Sequence, residues 1–176
     1  MEYKGSGRPA VFGVDVGGVI TCGRRDGEDT FFQGDYLRNP RIGGSFDGLR
    51  TLVEDVFGPE NSCVISKCGT RVEFKTKEWM KAQNFFEQTG MDPTHLYFCL
   101  IREGKAPIAK ELGITHFVDD RLDVLGCLAD VGVDNLYLFN TNLPKIRSAL
   151  VETPGVSVVQ SWPKVVETIR RDLGRD

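Results

Sequence analysis

The sequence has no run of about 18 or more apolar residues, and no apolar stretch stands behind Lys4 and Arg8 near its start, so neither a membrane span nor a secretory leader is expected. Its five cysteines (Cys22, Cys63, Cys68, Cys99, Cys127) form no CxxC pair and no Cys/His ligand spacing. That pattern argues against structural zinc and leaves free, mostly buried thiols in a reducing compartment as the expectation. The cytoplasm is therefore the expected location. Only two histidines occur, His95 and His116; both flank apolar runs without partner spacing, and no catalytic role is read for either. The 22 basic and 25 acidic residues nearly cancel to a formal charge of −3, which gives no general drive toward nucleic acid or anionic lipid. Internal repeats, low-complexity tracts and Pro/Ser-rich linkers are also missing. One domain is expected over residues 1–176, with a flexible N-terminus over 1–9.

What is present is an alternation. Short apolar runs at Ala10–Val14, Ser62–Ser66, Leu96–Ile101, Ile114–Val118, Asn135–Phe139 and Val156–Val159 read as strands. Between them, helical spacing predicts helices over Ser45–Phe57, Lys75–Thr89, Ala106–Leu112, Leu122–Val131 and Trp162–Leu173, with a helical turn at Leu143–Leu150. Strands that are apolar throughout and alternate with helices predict a parallel sheet covered on both faces, a doubly wound, Rossmann-like α/β fold. Thr21–Gly44 is polar, Gly-rich and aperiodic, and reads as a flap or minimal cap.

Ligands of such sheets bind beyond the C-terminal ends of the strands. Asp15, Ser66, Asp119 and Asp120 are the polar residues that end apolar runs, so they are the candidate site. Several carboxylates at one sheet edge repel one another unless a cation neutralises them, and a Mg²⁺ site built from carboxylates, a carbonyl, water and a phosphate oxygen is the natural solution.

In this order the motifs resemble those of the haloacid dehalogenase (HAD) superfamily. Val11–Thr21 (VFGVDVGGVIT) is similar to its first motif, Ser66 in CVISKCG to the second, Lys105 in REGKAPIAKELG to the third, and Asp119-Asp120 in THFVDDR to the acidic fourth. The resemblance implies a phosphatase in which Asp15 forms an aspartyl-phosphate, Ser66 and the Lys67 backbone N–H hold phosphoryl oxygens, and Lys105 offsets negative charge, with Lys110 as its rival. It implies Mg²⁺ held by Asp15, the Gly17 carbonyl, Asp119 and Asp120. Which of the two fourth-motif residues touches the metal stays open, since one of them can instead brace the neighbouring loop through Arg121. Gly18, Lys67 and Arg24 are the positions read as lining the phosphate, although Arg24 and Arg25 also read as a solvated charge pair.

Two departures qualify the resemblance. Most phosphatases of the superfamily carry a second Asp two residues after the nucleophile for proton transfer; here Gly17 stands in that place. The chain also has no stretch long enough for a full cap domain, so an open site facing a phosphorylated substrate is expected. The alternative to a phosphatase is a catalytically silent HAD-fold protein that binds a phosphorylated ligand or a partner.

Overall fold

The computed structural model describes residues 9–22, 34–139 and 155–175. Phe12–Val14 forms β1, a three-residue strand with every side chain buried, at the middle of a six-stranded sheet. It is flanked by β2 (Ser62–Lys67), β3 (Leu96–Cys99), β4 (His116–Asp119), β5 (Asn135–Phe139) and β6 (Val156–Val159) in the order β3-β2-β1-β4-β5-β6. All five pairings among the described residues are parallel. The chain winds outward from β1 to β3, then returns to β4 on the other side of β1. The order therefore reverses between β1 and β4, where the loops leaving the two strands diverge and open a crevice.

Strand alternation sorts the core into two layers. Phe12, Val14, Val64, Tyr137 and Phe139 face α1 (Ser45–Thr51), α2 (Thr70–Ala82), α3 (Phe85–Thr89) and α6 (Trp162–Asp172), packing on Phe46, Leu49, Trp79, Phe85, Trp162 and Ile169. On the other face Cys63, Ile65, Phe117 and Leu136 meet α4 (Lys105–Leu112) and α5 (Leu122–Asp130) through Ala109, Leu125 and Leu128. The doubly wound architecture expected from the sequence is thus observed.

Apart from two-residue shifts at the starts of β1 and β4, three elements differ from expectation. The helix expected over Lys75–Thr89 begins at Thr70 and is broken at Gln83-Asn84, where Asn84 takes a left-handed conformation (φ 50°) before α3 starts. Asn accepts that conformation more readily than other side chains. The helix expected over Ser45–Phe57 is continuous in the chain, but Leu52–Phe57 winds as a π-helical stretch. The strand expected to reach Ile101 ends at Cys99, and Leu100 and Ile101 lie outside the sheet. The expected turn at Leu143–Leu150 falls outside the described residues, as does part of the Thr21–Gly44 flap. In the described part of that flap, Thr21 bridges Arg41 in antiparallel sense and Tyr36–Arg38 makes a single 3₁₀ turn.

Candidate active site

Asp15 is the first residue past β1, and its N–H donates to the Val118 carbonyl at 3.0 Å. Because Val14 stands opposite Val118, that bond brings Asp15 level with Asp119, the last residue of β4, across the crevice. Lys105 opens α4 and reaches in beneath both. Its Nζ lies 2.7 Å from Asp119 Oδ2 and 3.0 Å from Asp15 Oδ1, with the lysine only 2% exposed. Asp119 Oδ1 in turn accepts from the Arg121 N–H at 3.0 Å. Both Asp119 oxygens thus have protein partners, and Arg121 turns its guanidinium away to Asp123.

Among the described residues, Asp15, Asp119 and Asp120 are the carboxylates that come together, with one oxygen of each within 4.8 Å of the others. The electrostatics of this arrangement are unbalanced. Burial, reinforced by Asp15, pushes Asp119 well above the usual carboxylate range, and Lys105 offsets this only in part. Burial also pulls Lys105 down, but Asp15 and Asp119 outweigh it and hold the ammonium above its ordinary range. One ammonium is shared by Asp15 and Asp119, and the Arg121 guanidinium acts on Asp120 while bound to Asp123, so the cluster gathers more negative charge than Lys105 alone offsets. Asp15 Oδ1, although 3.0 Å from the Lys105 ammonium, has no well-aligned hydrogen bond. A divalent cation fits that deficit in charge, in donor type and in position.

The loop behind Asp15 is a tight turn. Ile20 and Thr21 N–H groups donate to the Val16 carbonyl at 2.9 and 3.1 Å, and the Gly18 N–H to the Thr21 carbonyl at 2.9 Å. Trp162, fully buried at the start of α6, donates its indole N–H to Val19 at 2.8 Å and holds the turn from below. Gly18 has φ 76°, and a Cβ there would collide with the Asp120 carboxylate. The second glycine of the motif therefore makes room for an acidic residue arriving from β4, and its own N–H is already committed within the turn.

Ser66 is buried near the end of β2, on the neighbouring strand and one residue beyond the level of Asp15. Lys67 is exposed. Lys110 is exposed in the last turn of α4 and takes no part in the cluster; its rival Lys105 does. Arg24 and Arg25 lie outside the described residues. Gly17 bridges Thr21 in the turn that follows Asp15. All five thiols are free, and burial pushes Cys63 up to about 12 and Cys68 to about 11, so neither is poised as a nucleophile. Sequence reasoning missed the hold of Asp119 on Lys105 and the steric fit of Gly18 to Asp120. The one signal available for the second was the Gly17-Gly18 pair, one residue beyond a strand-end Asp.

No family model and no curated protein matches the chain. Solved structures do. The D,D-heptose 1,7-bisphosphate phosphatase of B. bronchiseptica, complexed with magnesium and phosphate, superposes with a TM-score of 0.65 at 16% identity, over 93% of this chain and 99% of that one. The enzyme of the same name from Burkholderia thailandensis gives 0.57 at 14% identity, over 91% and 97%. A haloacid dehalogenase-like family hydrolase from Xanthomonas campestris gives 0.62 at 8% identity, over 95% and 97%. With a parallel sheet in this order and near-complete coverage of the chains it superposes on, this chain has the fold of the haloacid dehalogenase-like hydrolases.

Proposed function

We propose that the protein is a Mg²⁺-dependent phosphomonoesterase in which Asp15 is the nucleophile. The observation that carries this reading is the Asp15 carboxylate at the crevice between β1 and β4, 3.0 Å from a buried ammonium and clustered with two further carboxylates. The chemistry follows from that set. An Asp15 oxygen attacks phosphorus, an O–P bond forms as the bond to the leaving oxygen breaks, and water then attacks the aspartyl-phosphate to release phosphate and restore the carboxylate. Ser66 donates to a phosphoryl oxygen, and Lys105 balances charge on Asp15 as the phosphate dianion arrives. Asp15, Asp120 and the Gly17 carbonyl would hold Mg²⁺, with Asp119 braced behind them, and the ion would neutralise developing phosphoryl charge. Phosphatases that share the fold add support.

With glycine at position 17, the leaving alkoxide takes its proton from water. That favours activated or acidic leaving groups, since lost acid catalysis costs on the order of 10²- to 10⁴-fold for poor ones. The test is phosphate release from a panel of monoesters with and without Mg²⁺. Asp15→Asn should abolish it; full activity in that variant, or no Mg²⁺-dependent release by the intact protein, would sink the reading.

One observation favours a second reading, a silent phospholigand-binding protein. Among the described residues no fourth carboxylate joins the cluster to replace the one that Gly17 lacks. On this reading phosphorylated ligands raise the melting temperature without being hydrolysed, and rapid turnover of any physiological phosphoester eliminates it.

A further inference from the structure

The described surface keeps most large apolar side chains covered, yet three stand far out of the fold near the candidate site: Leu100 at 73% exposed, Phe74 at 62% and Ile101 at 61%. Single exposed apolar residues are ordinary; a group beside a polar pocket is not. Their placement follows from the chain. Ser66 is followed by the turn Lys67-Cys68-Gly69, and the Cys68 N–H donates to the Cys99 carbonyl at 2.9 Å, which sets Leu100 alongside that turn. Ile101 leans back over Gly104, the residue before Lys105, its Cγ1 3.7 Å from where a Cβ of Gly104 would be. Phe74 lies one turn into α2 on the side carried by Lys77, whose Nζ stands 5.2 Å above the Phe98 ring of β3. The strip therefore lines the C-terminal edge of the sheet over β2 and β3. Two strand spacings, about 10 Å, separate it from Asp15.

Charge along the strip is graded. Lys77 is paired with Glu73. Lys67 and Arg71, both exposed on the site side of Phe74, have no carboxylate partner among the described residues. Cations without a carboxylate partner among the described residues, beside Ser66 and with apolar surface beyond them, complement a molecule with an anionic head and an apolar body. Resting on the phosphomonoester reading above, we infer that the leaving group of the substrate is apolar, an aryl or comparably hydrophobic group, and lies on Leu100, Ile101 and Phe74. A sugar phosphate would leave this strip in water.

The experiment uses the full chain with excess Mg²⁺ and two phosphonates that no phosphatase hydrolyses, methylphosphonate and 1-naphthylmethylphosphonate, titrated by calorimetry. The wild type should bind the naphthyl compound about tenfold tighter. The double variant Leu100→Ser/Ile101→Ser should lose that preference and keep its affinity for methylphosphonate, which also reports that it is folded. Equal affinities in the wild type, a preference that survives the double substitution, or no binding of either compound overturns the inference. So does a second copy of the chain as the occupant: a wild-type dimer that the substitutions convert to a monomer, with no change in phosphonate affinity. Because the probes are not turned over, absence of phosphatase activity counts against the hydrolytic reading alone.

Discussion

Lys105 Nζ stands 2.7 Å from Asp119 Oδ2, joining the start of α4 to the end of β4 inside the protein, with the lysine 2% exposed and the aspartate fully buried. Breaking such a pair from one side leaves a buried charge without a partner. Lys105→Met should therefore destabilise the metal-free protein by about 3 kcal/mol in urea unfolding with a chelator present. Phosphate release should fall with it. A loss below about 1 kcal/mol would mean that Asp119 is held mainly by the Arg121 N–H.

Gly18→Ala separates two effects of one methyl group. The left-handed backbone at Gly18 (φ 76°) adds about 1 kcal/mol of strain. Gly34, with φ 65° and open space where its Cβ would be, supplies the strain without the collision. Only Gly18→Ala displaces the Asp120 carboxylate, so Mg²⁺ titrations should show affinity reduced about tenfold or more in that variant and unchanged in Gly34→Ala. Equal affinities in the two variants would remove Asp120 from the metal set.

His116 begins β4, fully buried, with Nδ1 2.8 Å from Thr115 Oγ1 and its ring 5.2 Å from that of Phe57. Burial lowers it to about 4, with Asp172 offsetting only a little. The unfolded chain thus takes up this proton near pH 6.5, whereas the fold resists until about 4. The stability from the neutral ring is complete above the unfolded value and declines as pH falls between the two. Between pH 7 and pH 5 the decline should be about 2 kcal/mol in wild type relative to His116→Gln, read from urea midpoints. Parallel pH profiles for the two proteins would refute the shift.

Gly48 in α1 sets helix propensity against packing. Alanine improves an exposed helix by about 1 kcal/mol. At Gly48, however, a Cβ would lie 2.6 Å from Trp162 Cε3, and the indole is pinned by its bond to Val19. Overpacking of a fixed ring costs about 1–3 kcal/mol, so the net effect of Gly48→Ala should be a lower melting temperature. A higher one would show that α6 can shift without cost.

Much of this molecule was legible in its sequence because a parallel sheet buries both faces: β1 is apolar to its end and β4 runs through Phe117 and Val118 to Asp119, and a charged residue at such an end is conspicuous. Asp15, Asp119 and Asp120 were found in this way, whereas Lys105, at the start of α4, was singled out by the resemblance of its motif. The division of labour between Asp119 and Asp120 was not, since neighbouring residues at a strand end turn to opposite sides and only the fold reveals which side Lys105 occupies. The start of α2 was hidden because Phe74 faces solvent and spoils the apolar period, and its break because Gln83-Asn84 is an ordinary polar pair on a helix surface. Leu100 and Ile101 read as strand because hydrophobicity alone does not distinguish residues that a sheet covers from those that it leaves at its rim.

The indole of Trp162 reaches Val19 across 143 positions of sequence. During synthesis, β1 leaves the ribosome long before α6 does, and until α6 docks the turn after Asp15 lacks its support from below. A nascent chain can therefore display the acidic strand end without the rigid loop behind it. The rigid support of the acidic strand end is therefore completed only once the C-terminal helix has been made and has docked.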